Sequence, residues 1–294
     1  MNISTTILHP GASVVDLRRF DPSDRLGLGS KEDAESMLQA DIRELAALQE
    51  VFAARKERAL LIVLQGMDAA GKDGIIKHVM SGINPQGVDV HSFRQPSPEE
   101  LAHDFLWRES TVLPQIGRIG IFNRSYYEEV LVVRVNREAL GAENPKEASE
   151  AWRERYEDIN AFERHLTRCG TIVIKFFLHL SKDEQRKRLL ARLGNVEKLW
   201  KFSDADLEGH QQWEAYQRAY SEMLAGTSTT WAPWHIVPSD RKWVARAVVG
   251  KALLVALRRL PSEFPKPSEE RIAKSALLAR ALQAEAEEGA ISSA

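Results

Sequence analysis

A three-layer α/β/α fold around a mostly parallel sheet is predicted by three features of this chain. Short apolar runs alternate with helix-length amphipathic segments between residues 59 and 260, the order that parallel strands with crossover helices produce. Several runs are apolar throughout rather than at every second residue, as strands covered on both faces must be. A glycine-containing loop joins the first run to the next helical segment, the type of connection at which such sheets bind anions.

Residues 1–30 contain Pro10, Gly11, Pro22 and Gly27 without a sustained period and read as an arm, extended over the domain or partly mobile. Lys31 to Arg58 reads as a helix: Ser30 is a candidate N-cap, and Leu38, Ile42, Leu45, Leu48, Val51 and Phe52 recur at three- and four-residue steps. Ala59–Leu64 is then a strand, Gly71–Ser81 a helix, Val88–Phe93 a strand and Pro98–Trp107 a helix. Arg118–Phe122 is the next strand, Ser125–Val135 opens a helix, and Lys146–Thr167 forms another. Thr171–Leu178 is the most apolar strand. Helices over Lys182–Leu193 and Leu207–Leu224, a short strand near His235–Val237 and a closing helix over Arg241–Leu260 complete a core spanning 31–260. Pro261, Pro265 and Pro267 open a tail, 261–294, read as a linker and then a surface or interface helix.

Forty Lys and Arg against 42 Asp and Glu leave a formal charge of -2, so no global field recruits nucleic acid or an acidic membrane, and any polyanion site is local. The single cysteine, Cys169, excludes internal disulfides and is expected to be a buried thiol. The first residues carry neither a basic region nor an apolar stretch suited to export, and the expected location is cytoplasmic. The eight histidines are scattered and form no H-E-x-x-H pattern, which argues against a metal hydrolase. Trp107, Trp213 and Trp243 sit in helical patterns and read as core residues, whereas Trp200 stands among cations.

The strongest motif runs from Gly66 through Met67, Asp68, Ala69 and Ala70 to Gly71, Lys72, Asp73 and Gly74. It matches G-x-x-x-x-G-K between a strand and a helix, and so specifies a P-loop NTPase-like fold. Backbone N–H groups of such a loop cradle phosphate oxygens, and Lys72 adds a compact positive charge. Asp73 replaces the Ser or Thr that normally binds Mg²⁺, so Asp68 becomes the candidate metal carboxylate; either Asp could instead cap the helix. A second polar cluster, Asn123-Arg124-Ser125-Tyr126-Tyr127-Glu128-Glu129, follows a strand and falls at the carboxyl edge of the sheet, where ligands bind. Asn123 stands where an acid is usual. Its carbonyl can ligate a metal but cannot serve as a base, which leaves Glu128 as the nearest carboxylate for either task. Arg124 and Arg134 suit bidentate phosphate contacts, or surface ion pairs.

Four blocks carry a resemblance to the polyphosphate kinase type 2 family: GMDAAGKDGIIKHVMSGINPQGVDVHSFRQPSPEELAHDFLWR, IGIFNRSYYEEVLVVRV, KFFLHLSKDEQRKRLLARL and KLWKFSDADLEGHQQWEAYQRAY. The resemblance implies a P-loop core with an α-helical lid at about 182–205, dependence on Mg²⁺ with Mn²⁺ as substitute, and phosphoryl transfer between inorganic polyphosphate and AMP, ADP, ATP or their guanine equivalents. It assigns Asp68, Lys72, Asn123, Arg124, Glu128 and Arg134 to catalysis, Asp68, Asn123 and Glu128 to the metal, and Lys187, Arg188, Arg192, Lys198 and Lys201 to the lid, although on spacing alone those five are a solvated helix face. Asn123 resembles the subgroup that phosphorylates monophosphates as well as diphosphates. The family also implies a homo-oligomer. The readings weighed against it are an ATP-dependent nucleoside monophosphate kinase and a non-catalytic P-loop nucleotide-binding module.

Overall fold

The computed structural model describes residues 6–11, 14–139, 145–201 and 203–291. The elements begin with β1 (Thr6–Ile7), α1 (Lys31–Arg55), β2 (Ala59–Gln65), α2 (Lys72–Val79) and β3 (Val88–Ser92). Next come α3 (Pro98–Leu101), α4 (Trp107–Ser110), β4 (Ile119–Asn123), α5 (Val132–Ala139), α6 (Pro145–Arg168) and β5 (Thr171–His179). The chain continues through α7 (Lys182–Leu193), α8 (Asp204–Gln211), α9 (Trp213–Thr227), β6 (Trp234–Pro238), α10 (Lys242–Arg258) and α11 (Glu269–Ile291). It divides into two compact units, Met1–Ser262 and Glu263–Ala294. The second contains α11, on which Ile272, Leu277, Leu278 and Leu282 are exposed.

The strands form one sheet in the order β1-β6-β5-β2-β4-β3, parallel throughout except for β1, which pairs antiparallel with β6. Every residue of β2 is buried because alternate side chains enter two separate cores. Leu60, Ile62 and Leu64 pack with Leu38 and Leu45 of α1, Ile75 of α2 and Val248 and Leu254 of α10. Leu61 and Val63 join Trp152 and Ile159 of α6, Met223 and Leu224 of α9, and Trp234 on the other face. Each such side chain contributes about 1.5–3 kcal/mol on burial, so two covered faces anchor the central strands against distortion. Helices on both faces of a mostly parallel sheet make three layers, α/β/α.

Helix breaks mark the departures from sequence periodicity. The segment 98–107 is not continuous: α3 closes at Ala102, and Asp104 accepts a hydrogen bond from the Leu106 N–H (2.9 Å) in the turn that leads into α4. The 125–135 segment opens as a 3-10 turn, Tyr126–Val130, because Ser125 Oγ accepts from the Tyr127 N–H, and α5 starts only after Leu131 leaves the helical region. The expected 207–224 helix is two helices, parted at Gln212. The short strand β1 was not anticipated within the arm. Cys169 is exposed rather than buried: it lies in the turn between α6 and β5, with its Sγ 3.7 Å from His165 Nε2. Among the described residues, no helix is long and apolar enough to cross a membrane.

Candidate active site

The carboxyl edges of β2, β3 and β4 open onto one cleft of about 2220 Å³, with Asp68, Lys72, Arg94, Arg124 and Glu128 among its lining residues. The phosphate loop closes tightly here for a local reason. Gly66 has φ +153°, and a Cβ on it would lie 2.8 Å from the Leu178 carbonyl, so no larger residue fits. Gly71, at φ +111°, turns the chain directly into α2. Lys72 is buried, and its Nζ donates to the carbonyls of Gly66 (2.6 Å) and Met67 (3.3 Å). Burial, followed by the charge of Arg124, pushes its pKa down; its ammonium is under-solvated, which favours an anionic ligand.

Arg124, at the end of β4 and next to the loop that follows β2, occupies the centre of the same wall. Its guanidinium pairs with Asp68 and, at 3.4 Å, with Glu128. The Glu128 charge raises its pKa most, with Asp68 adding to the effect, so the cation stays on. Its backbone is left-handed at φ +65°, a conformation that costs a non-glycine residue about 1–3 kcal/mol and persists only where neighbours enforce it. The Arg124 N–H bonds to the Leu64 carbonyl (3.1 Å), which fixes this turn to β2. Asn123 Nδ2 donates to Asp73 Oδ1 (2.9 Å), joining the second segment to the phosphate loop. Gln65 is wholly buried beneath; with its amide turned to satisfy both ends, it donates to Glu128 Oε1 (3.1 Å) and accepts from Ser125. Tyr216 is pushed up to about 12 by burial and then by the Glu128 and Asp68 charges, all three residues lining the same cleft.

The expected lid cations divide. Arg188 is part of the phosphate-loop scaffold: one guanidinium nitrogen donates to the carbonyls of Ala69 (2.9 Å) and Ala70 (3.1 Å), the other to those of Ser239 (2.6 Å) and Asp240 (2.9 Å). Arg192 pairs with the buried Asp206 at 2.6 Å. The Asp206 pKa is raised, first by burial and then by the charge of Asp68. Lys187 is exposed on the cleft wall. The side chains of Lys198 and Lys201 lie outside the described residues. Trp200 is 72% exposed and also lines the cleft, unlike Trp213, which is buried.

Arg134 does not join the site. It is 8% exposed, pairs with Glu222 at 2.8 Å, donates to Tyr156 OH at 3.0 Å and stacks over Trp152. Arg137, on the following turn of α5, lines the cleft instead, together with Arg94, Arg108 and Arg155. Arg94 lies two residues beyond the end of β3 and β4 ends at Asn123, so the carboxyl-edge rule applied to every strand identifies Arg94 from sequence. Nothing in the spacing separates Arg137 from Arg134. Gln65 carries a visible signal as the one polar residue ending an apolar strand, and Gln185 carries none; its side chain donates to the Asp68 carbonyl (3.1 Å).

Among the described residues, no group of three or more His, Cys, Asp or Glu side chains is arranged to hold a metal ion. The cleft does present the hard carboxylate oxygens of Asp68 and Glu128. That donor set suits Mg²⁺, which takes one or two carboxylates and completes its shell with water and substrate phosphates.

Residues 28–264 match the family model described as polyphosphate kinase 2. The chain is 49% identical to an ADP-polyphosphate phosphotransferase of Rhodopseudomonas palustris, over 82% of this chain and 85% of that one. It is 45% identical to an AMP/ADP-polyphosphate phosphotransferase of Meiothermus ruber, over 86% of this chain and 92% of the relative. The crystal structure of polyphosphate kinase 2 from Arthrobacter aurescens superposes with a TM-score of 0.84 at 42% identity, covering 93% of this chain and 95% of that one.

Proposed function

The chain belongs to the polyphosphate kinase 2 family, and from that premise we propose that it moves the terminal phosphoryl group of inorganic polyphosphate to ADP and AMP, reversibly. The observation that carries this reading is one cluster: a phosphate loop bearing Lys72 lies beside Arg124, which is itself held between Asp68 and Glu128. Such an arrangement suits a reaction whose transition state spreads negative charge over equatorial oxygens and asks for positioning rather than covalent help. A phosphate oxygen of the acceptor nucleotide attacks the terminal phosphorus of the polyphosphate. The bond from that phosphorus to its bridging oxygen breaks, and the chain leaves one phosphate shorter. The acceptor is already ionised at neutral pH, so no strong base is required, and Lys72 and Arg124 stabilise the developing charge.

Asp68 and Glu128, with the Asn123 carbonyl, are the groups that would hold Mg²⁺, or Mn²⁺ in its place; bound there, it would neutralise phosphate oxygens. Acceptance of both AMP and ADP is supported by the relative bearing both in its name and by Asn123 at the end of β4. Lys187 and the cations at 94, 108, 137 and 155 provide the local positive surface that a polyanion needs on a chain with a net charge of only -2. A cytoplasmic homo-oligomer is the setting proposed for this activity.

The test is transfer by the purified protein with long-chain polyphosphate, Mg²⁺ and either ADP or AMP, with Lys72→Ala as control. ATP and ADP, respectively, should form only with polyphosphate, and the variant should lose about 10³-fold or more in kcat/KM. Transfer from ATP to AMP without polyphosphate would replace this reading with an ordinary nucleotide kinase. Nucleotide binding with no transfer would leave a binding module.

A further inference from the structure

A second charged cluster lies wholly inside the protein, behind the catalytic wall. Lys175, in the middle of β5, and Glu163, on α6, are both 0% exposed and pair at 2.7 Å. The ammonium spends all three of its donors: on Glu163 Oε2 (2.7 Å), on Tyr127 OH (2.9 Å) and on the Thr227 carbonyl (2.7 Å). The other carboxylate oxygen, Oε1, accepts from Tyr126 OH (2.9 Å) and Tyr127 OH (2.8 Å). Both phenols are held protonated, chiefly by burial, and so remain donors. The rings of Tyr127 and Trp234 lie 5.4 and 5.1 Å from the Lys175 ammonium.

A buried pair of this kind is a poor source of stability, because well-packed apolar residues of the same volume often serve as well or better. What it fixes is geometry. The two tyrosines follow directly on Asn123-Arg124-Ser125 and precede Glu128, so their hydroxyls anchor the turn that carries the cleft's cation and carboxylate. On its other side the same turn is held by the Leu64 carbonyl and by Gln65 on Ser125. A non-glycine residue at φ +65° requires that kind of enforcement, and without it the guanidinium's place between Asp68 and Glu128 rests on its two ion pairs alone.

We infer that Glu163 and Lys175, acting through Tyr126 and Tyr127, are positioning residues for phosphoryl transfer: they hold the left-handed Arg124 turn so that the guanidinium and Glu128 face the phosphate loop. The inference rests on the phosphotransferase reading for its kinetic consequence but not for its structural one. The cluster touches no substrate. Its effect is on kcat, since a displaced transition-state contact slows chemistry while leaving ground-state binding in place.

Two variants test it, Tyr126→Phe with Tyr127→Phe, and Glu163→Leu with Lys175→Met, the second replacing the ion pair with apolar volume. Each is assayed with polyphosphate and ADP, and amide hydrogen exchange is followed at residues 124–128. The expected result for both is a cooperative fold, kcat lower by about tenfold to a hundredfold, KM for each substrate within about twofold, and exchange at 124–128 faster by about tenfold. Unchanged exchange at 124–128, or a folded variant with the parent's kcat, overturns the proposal. Failure of both variants to fold assigns the cluster to stability and overturns it equally. If the parent transfers no phosphate, the functional reading falls, and the exchange comparison alone decides the positioning claim.

Discussion

The two walls of the cleft are built on opposite plans. The wall formed by the phosphate loop and the Arg124 turn is cross-linked before any ligand arrives: Lys72 sits on loop carbonyls, Arg124 on two carboxylates, and Arg188 on four backbone carbonyls. The wall contributed by the end of α7 and the segment after it is open. Trp200 is exposed there, as is Lys187. The first arrangement is paid for at folding and provides preorganised charge for the transition state; the second has surface to bury only when something else covers it. The boundary falls within one helix, α7, where Lys187 is exposed and the next residue, Arg188, is braced.

That boundary can be broken most severely at Arg188. If it belongs to the fixed wall, Arg188→Ala should cost about 10²-fold in kcat/KM and lower the thermal midpoint, because four carbonyls lose their donor. A loss confined to KM, with stability intact, would move Arg188 to the open wall. A second probe is Glu109, wholly buried next to Arg108, with its pKa raised to about 7, mainly by burial. The folded protein keeps the Glu109 proton where the unfolded chain, with an ordinary carboxylate, releases it. Its stabilising contribution is therefore full below about pH 4.5 and is lost as pH rises to about 7. Relative to Glu109→Gln, the parent's unfolding free energy should fall by roughly 1 kcal/mol per pH unit across that window, read by urea denaturation. Parallel pH profiles would refute it. The smallest effect is expected at Lys187: Lys187→Ala should raise KM for polyphosphate by about threefold at low salt, with kcat and the thermal midpoint unchanged and the difference fading at high salt.

The difference between the walls also explains what the sequence disclosed. The alternation of strands and helices, the loop at 66–74 and the cluster at 123–128 were legible because each obeys a local rule: apolar runs for doubly covered strands, G-x-x-x-x-G-K for the loop, and polar residues at a strand's carboxyl end. Arg188 was legible as a cation but not as a brace, since its four acceptors come from residues 69, 70, 239 and 240. Arg134 and Arg137 are chemically alike, and their spacing does not reveal that Arg137 lines the cleft while Arg134 packs with Tyr156 and Glu222. Lys175 gave no hint of its role, because its acceptors on α6, on the Tyr126–Val130 turn and at the end of α9 converge only in three dimensions.

Cys169 has a practical consequence. It is the only cysteine in the chain, it is exposed, and it precedes β5 at the amino edge of the sheet. The strand's nine residues carry the chain about 30 Å before it reaches the carboxyl edge where the cleft opens. A maleimide dye or surface linker attached at that thiol would therefore sit on the far side of the sheet, giving a single-point handle for immobilising the enzyme with its cleft facing the bulk solution.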